Sequence, residues 1–288
     1  MNQSDIETKR TVQQQFGRHA NSYVTSAIHA KGSDLEEMVS WLEPNENDVA
    51  LDVATGGGHV ANNLSQRVRQ VIALDFTRPM LAAAKANART LGLDNILYTV
   101  GDAEQLPFAD ESFELVTCRI APHHFPNPEK FVQEVARVLK PAGRFAITDN
   151  VAPEDNEAAL FINEVEQLRD ISHVWNAPVS AWKSWLAEAN LTLVQERKWS
   201  KVFTFPDWVS RTAETVEQQL AVEQRLLKAN TKLAKRFSIQ VKNDRIESFA
   251  TLQWMALCQK KNRQTRFTFT YIFDYQAGSC ATCSPIWL

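Results

Sequence analysis

Three aspartates and a run of three glycines carry most of the chemistry legible in this chain. Gly56, Gly57 and Gly58 stand together in Leu51-Asp-Val-Ala-Thr-Gly-Gly-Gly-His59, a concentration that singles out this turn in a sequence with only nine glycines. Lacking Cβ atoms, such residues let a chain turn sharply and bring bare backbone against a ligand. Asp52 lies just ahead of them, Asp75 about twenty residues further on, and Asp102 beyond that in Gly101-Asp-Ala-Glu104. Carboxylates in such places attract cations and accept hydrogen bonds from hydroxyls and amines.

The elements that must hold these residues follow from the hydrophobic pattern. Apolar runs at 49–53, 70–75, 95–100, 113–118 and 144–149 read as buried strands, and helical periodicity at 59–67, 78–91 and 128–139 separates them. Strand and helix in alternation build a parallel sheet with helices on both faces. Each aspartate then falls within or at the end of a successive strand. The expected architecture is a doubly wound α/β domain over 44–260 with a seven-stranded mixed sheet and a helical insertion at about 152–178. A helical cap or lid occupies 1–43. Past 151 the pattern predicts helices at 155–172 and 179–189, an extended run at 191–205, one long amphipathic helix at 206–237 and an antiparallel strand at 248–257.

Two ligands compete for the glycine turn. Gly56 to Ala61 fits the G-x-G-x-x-A fingerprint, and Asp75 stands where a ribose-binding acid belongs, so a nicotinamide dinucleotide is one candidate. Asp52 argues against it, because a carboxylate ahead of the turn repels a pyrophosphate and attracts an ammonium. Asp102 adds an acceptor for an adenine amine. S-adenosylmethionine has the ammonium, the ribose diol and the adenine, and it has no phosphate.

The order of motifs resembles class I S-adenosylmethionine-dependent methyltransferases, in particular the small-molecule branch of the ubiquinone and menaquinone biosynthesis C-methyltransferases. It rests on LDVATGGGH (51–59), ALDF (73–76), GDAEQLPF (101–108), SFELVTCR (112–119) and EVARVLKPAGRF (134–145), which span about 49–148, roughly a third of the chain. The branch has Gly-Gly where this sequence has Ala142-Gly143. The resemblance implies that Asp52 and the backbone of Ala54, Gly56 and Gly58 hold the methionine end, and that Asp75 takes the ribose hydroxyls. It implies that Phe76 and Met80 line the adenine, Asp102 and Ala103 meet its edge, and Arg119 lies beside the methionine portion. It also favours His124, in Pro122-His-His-Phe125, as a base for an acceptor that must lose a proton, with His123 the weaker candidate. By the same resemblance Tyr23 and the break at 25–32 fold over the cofactor, and Tyr23, with Arg169, His173 and Trp175 of the insertion, joins His124 around the acceptor.

The expected function is methyl transfer from S-adenosylmethionine to a small, apolar or aromatic acceptor. The alternatives are an NAD-linked oxidoreductase on the same turn and a non-catalytic S-adenosylmethionine-binding module. A net charge of −3 without a dense basic stripe points away from nucleic acid, and a homo-oligomer is left open. The polar start of the chain and the lack of a long apolar run make the cytosol the expected location. No metal site is expected. His19, His29, His59 and His173 are dispersed, and Cys280-Ala-Thr-Cys283 has metal-pair spacing without a second pair. The tail at 262–288, with aromatic alternation at 267–273, is an edge strand, an interaction segment or an incidental extension.

Overall fold

Strand β1 (Val49–Val53) is buried over four of its five residues and lies in the middle of the sheet. In the computed structural model, which describes residues 3–25 and 32–262, it is flanked by β2 (Gln70–Asp75) and β4 (Phe113–Arg119). Outside these lie β3 (Ile96–Val100) and β5 (Leu139–Val151), giving five parallel strands in the order β3-β2-β1-β4-β5. Chain connectivity reverses direction at β1, and a crevice opens above the carboxyl ends of strands at such a point. The glycine turn stands in that crevice.

The sheet is completed by two long antiparallel strands. β8 (Arg245–Lys260) pairs with β5, and β6 (Leu191–Thr204) pairs with β8. These make up the expected seven strands, and a short β7 (Gln240–Lys242) pairs with β8 as an eighth. Asn243 and Asp244, at φ +50 and +58, form the tight turn that folds β7 back onto β8. Both positions of such a turn need left-handed backbone, which Asn and Asp tolerate.

Helices cover both faces. Helices α2 (Ser33–Trp41), α3 (His59–Ser65) and α4 (Arg78–Thr90) close one face over Met38, Leu42 and Leu64. Helices α5 (Pro128–Val138) and α7 (Val179–Glu188) close the other over Phe131, Phe145 and Trp182. A third core joins α6 (Asn156–Arg169) to α8 (Phe205–Val209), α9 (Val216–Leu227) and α10 (Thr231–Arg236) around Phe161, Trp208 and Phe249. The single helix expected at 206–237 is therefore three. Thr215 and Asn230 accept hydrogen bonds from the backbone of Gln218 and Leu233, and each cap starts a new helix.

Helix α1 (Gln3–Thr25) crosses the mouth of the crevice. Lys9 Nζ lies 2.6 Å from Asp102 and 2.8 Å from Glu104, and Gln13 donates to the Phe76 carbonyl at 3.2 Å. The carboxylates outweigh the burial that opposes the Lys9 charge and hold its pKa above the usual lysine value. The Tyr23 side chain, the break at 26–31, the aromatic run at 267–273, Cys280 and Cys283 lie outside the described residues. Among the described residues no helix is long and apolar enough to cross a membrane.

Candidate active site

The carboxyl ends of β1, β2 and β4 and the inner side of α1 enclose an open cleft of about 810 Å³. Its floor is polar where β1 ends. Asp52 is buried between two hydroxyls, with Thr117 donating at 2.7 Å and Thr55 at 2.6 Å. Burial still dominates and pushes its pKa up to about 6. Asp75 accepts from the backbone N–H of Gly56 and of Thr77, each at 2.9 Å, and burial raises its pKa as well. The second strand's terminal acid thus braces the glycine turn that follows the first.

Two non-glycine residues of the cleft, Ala54 and Ile120, hold left-handed backbone. Ala54, Gly56 and Ile120 line the cleft with φ of +54, +54 and +53. For glycine this conformation is free, but for a β-branched residue it costs on the order of 1–3 kcal/mol. The strain at Ile120 turns the chain sharply out of β4 and aims the segment that follows at the cleft. Gly58, at φ +80, is needed for a different reason: a Cβ there would stand 3.1 Å from the Ala84 Cβ, so its role is close packing of α3 against α4.

Most of the expected cofactor residues meet in one place. Asp52, Ala54, Gly56, Asp75, Phe76, Met80 and Arg119 all line the cleft. Asp102 and Ala103 line an adjoining cavity of about 390 Å³ on the β3 side, where Lys9 already occupies one oxygen of Asp102. The Arg119 Nε donates to Asp34 of α2 at 2.7 Å in a buried ion pair. Val12 and Phe16 of α1 also form part of the wall.

The acceptor residues divide. His124 lines both cavities, and Phe16 meets its ring edge-on at 4.9 Å. Its Nδ1 lies 2.9 Å from the Ser172 carbonyl and 3.3 Å from the Ser172 hydroxyl, whose own proton goes to Asp170 at 2.5 Å. A carbonyl only accepts, so Nδ1 carries the hydrogen and Nε2 keeps its lone pair. Burial, with the charge of His123 beside it, pushes the pKa of His124 down. In His123, burial is outweighed by Asp149, 2.6 Å from its Nδ1, and the pKa rises.

The other three do not reach the cleft wall. His173 is committed to Asn163, 2.9 Å from its Nε2, and its ring centroid lies 6.4 Å from that of His124. Arg169 pairs with Glu166 at 2.8 Å and lies over the Trp208 ring at 4.3 Å. The Trp175 side chain is 39% exposed, while its backbone N–H holds the His123 carbonyl at 3.1 Å. The insertion therefore supplies Asp170 and Ser172, which side-chain type alone did not mark, in place of the larger residues on either side of them.

Five parallel strands in this order with an antiparallel pair beside them, a glycine turn braced by an acid, and a buried carboxylate below it are the features of a class I methyltransferase fold. The model of the methyltransferase domain family matches residues 51–147. YcgJ of Bacillus subtilis, an uncharacterised methyltransferase, is 34% identical over 224 residues, which are 78% of this chain and 88% of that protein. A Bacillus halodurans protein assigned as a methyltransferase superposes with a TM-score of 0.78 at 40% identity, covering 80% of this chain and all of that one. The ubiquinone/menaquinone biosynthesis C-methyltransferase UbiE of Brucella canis is 36% identical over 131 residues, 43% of this chain and 48% of that protein. The chain belongs to the methyltransferase family. It is an S-adenosylmethionine-dependent enzyme, and hydride transfer, the competing use of the glycine turn, falls with that assignment.

Proposed function

We propose that the cleft transfers a methyl group to a small acceptor with an aromatic or apolar body, through an atom that first gives its proton to His124. The cofactor fits the donor set: two buried carboxylates and bare glycine backbone suit an ammonium and a diol, and the apolar Phe76 and Met80 beside them suit a purine. Asp52, Ala54 and Gly56 would hold its methionine end, Asp75 the ribose, and Phe76, Met80, Asp102 and Ala103 the adenine. When bound, S-adenosylmethionine supplies an electrophilic methyl on a sulfonium.

The chain's own residues do the rest. Val12, Phe16, Ala121 and Phe125 form apolar walls that exclude water from the reacting atoms. His124 stays neutral at physiological pH, so its Nε2 lone pair is available without prior loss of a proton. The imidazolium formed on proton transfer gains from the Asp170 carboxylate, reached through Ser172. The lowered basicity of His124 works against it, so the proton it takes must be a strongly acidified one, as on a phenol or enol that carries electron-withdrawing groups.

The observation that supports this reading is the Nδ1 contact with the Ser172 carbonyl, which in a neutral His124 leaves the lone pair on Nε2. The test is a mass-spectrometric screen of phenols and enols against their already methylated analogues, looking for a gain of one methyl, repeated with His124→Asn. The asparagine amide can still donate to Ser172 but has no base. Turnover should fall about a hundred- to ten-thousand-fold with cofactor affinity unchanged. Undiminished turnover in His124→Asn removes the histidine from the chemistry.

A further inference from the structure

Helix α1 meets the strand ends along a single stripe. Asp5, Lys9 and Gln13 follow one another at intervals of four, the spacing of one helix face, and each reaches a different part of the sheet's carboxyl edge. Asp5 accepts from the Asn127 side chain at 3.2 Å, Lys9 pairs with Asp102 and Glu104 beyond β3, and Gln13 holds the Phe76 carbonyl beyond β2. Lys9 makes the strongest of these contacts, because its two short hydrogen bonds are charge-assisted at both ends. Its anchor is rigid. Glu104 also accepts from the backbone N–H of Asn127 at 2.7 Å and from the Asn127 amide at 3.1 Å, at the start of α5, and its own N–H donates to Asp102 at 2.9 Å.

This ion pair stands inside the cavity that adjoins the main cleft. Lys9 and Val12 form the α1 wall of that cavity, opposite Phe76, Asp102 and Ala103. A purine lying on Phe76 with its edge on Asp102 and Ala103 is therefore covered by α1. The side chains of Lys9 and Glu104 are only 9% and 5% exposed, so lifting α1 would strand a nearly buried carboxylate without its cation. Phe16 lies two helical turns beyond Lys9 on the same side of α1, and its ring meets that of His124 edge-on at 4.9 Å. What holds Lys9 down also holds Phe16 against His124.

We propose that Lys9 is a cofactor-retaining residue, whose ammonium fastens α1 over the adenine end of the cleft and, with it, Phe16 over His124. This deepens the reading above, on which it rests. One ion pair then sets both how long the cofactor stays and how far the histidine is covered.

The experiment uses the full chain with S-adenosylhomocysteine and with 5′-methylthioadenosine, which keeps the adenine and ribose but lacks the amino-acid portion. Dissociation rates are measured by stopped-flow displacement. From Lys9→Met both ligands should leave about 10- to 100-fold faster than from wild type, the range for one charged hydrogen bond, and Lys9→Arg should restore most of the retention. In protein saturated with S-adenosylhomocysteine, diethyl pyrocarbonate should modify His124 faster in Lys9→Met, as read from peptide masses. Should Lys9→Met fail to fold, Lys9→Gln takes its place. A lower melting temperature with both dissociation rates unchanged makes Lys9 a structural staple and overturns the proposal. Acceleration of S-adenosylhomocysteine alone also overturns it, by placing Lys9 at the amino-acid end, and so does an unchanged rate of His124 modification. If wild type binds neither ligand, the methyltransferase reading of the cleft fails, and this inference falls with it.

Discussion

The two halves of the cleft are built on different principles. The half above β1, β2 and β3 draws its residues from one continuous stretch, Asp52 to Ala103, and much of its polar surface is backbone or a carboxylate braced by backbone. The half above β4 and β5 is assembled from α1, the segment after β4 and the turn after α6, and its groups are side chains that hold one another. A site made from one strand–turn–helix succession is preserved as long as the sheet is. A site made of side chains from distant segments changes with each substitution, and that suits the half of a methyltransferase that must differ between acceptors.

The largest effect expected from this contrast is on stability in the second half. His123 and Asp149 form a buried charged pair, in which the carboxylate also accepts from the His123 backbone N–H at 2.9 Å. Asp149→Ala leaves that histidine without its partner and should destabilise the fold by about 3–5 kcal/mol. The sign of the pH dependence follows from the raised pKa. The stabilisation by this pair is fully present below the unfolded histidine value of about 6.5 and is lost as pH rises through the higher folded value. Urea titrations of both proteins should show their difference shrinking toward alkaline pH. A difference that grows there would show that Asp149 stabilises through something other than the charged histidine. Residual S-adenosylhomocysteine affinity in the folded fraction should match wild type, since no cofactor contact is expected of this pair.

The converse variant acts on the first half. Asp75→Ala removes the acceptor for two backbone N–H groups and for a ribose, and should weaken S-adenosylhomocysteine by about 1–3 kcal/mol. Calorimetry that finds the cofactor dissociation constant unchanged removes Asp75 from the site.

The same contrast explains what the sequence made legible. Strand period, a glycine cluster and acids at strand ends are local signals, and they led to β1 through β5 and to Asp52, Asp75 and Met80 on one cleft wall. Lys9 and Ser172 had no local signal. Each is an ordinary polar residue whose role comes from a partner 30 or more positions away, Asp102 for Lys9 and His124 for Ser172. Larger side chains nearby, Arg169 and Trp175, drew attention to themselves, but the first was absorbed by Glu166 and Trp208. The broken helix at 206–237 was a local miss of another kind. Thr215 and Asn230 are cap residues that continuous amphipathic periodicity concealed.

Asp52 is the smallest and most discriminating probe, because two properties should respond to it in opposite directions. Its folded pKa of about 6 lies above the unfolded value near 3.9, so its contribution to stability of the free protein is present at low pH and is lost as pH rises through 6. The ammonium expected beside it needs the ionised form. Cofactor affinity should therefore rise with pH, by up to roughly tenfold per unit below 6, and level off above it. Asp52→Asn should flatten this slope between about pH 5 and pH 7, where the ligand's own groups keep their charge. A wild-type affinity that is already flat down to about pH 5 would place the ammonium elsewhere, and the first half would then owe its selectivity to backbone and to Asp75 alone.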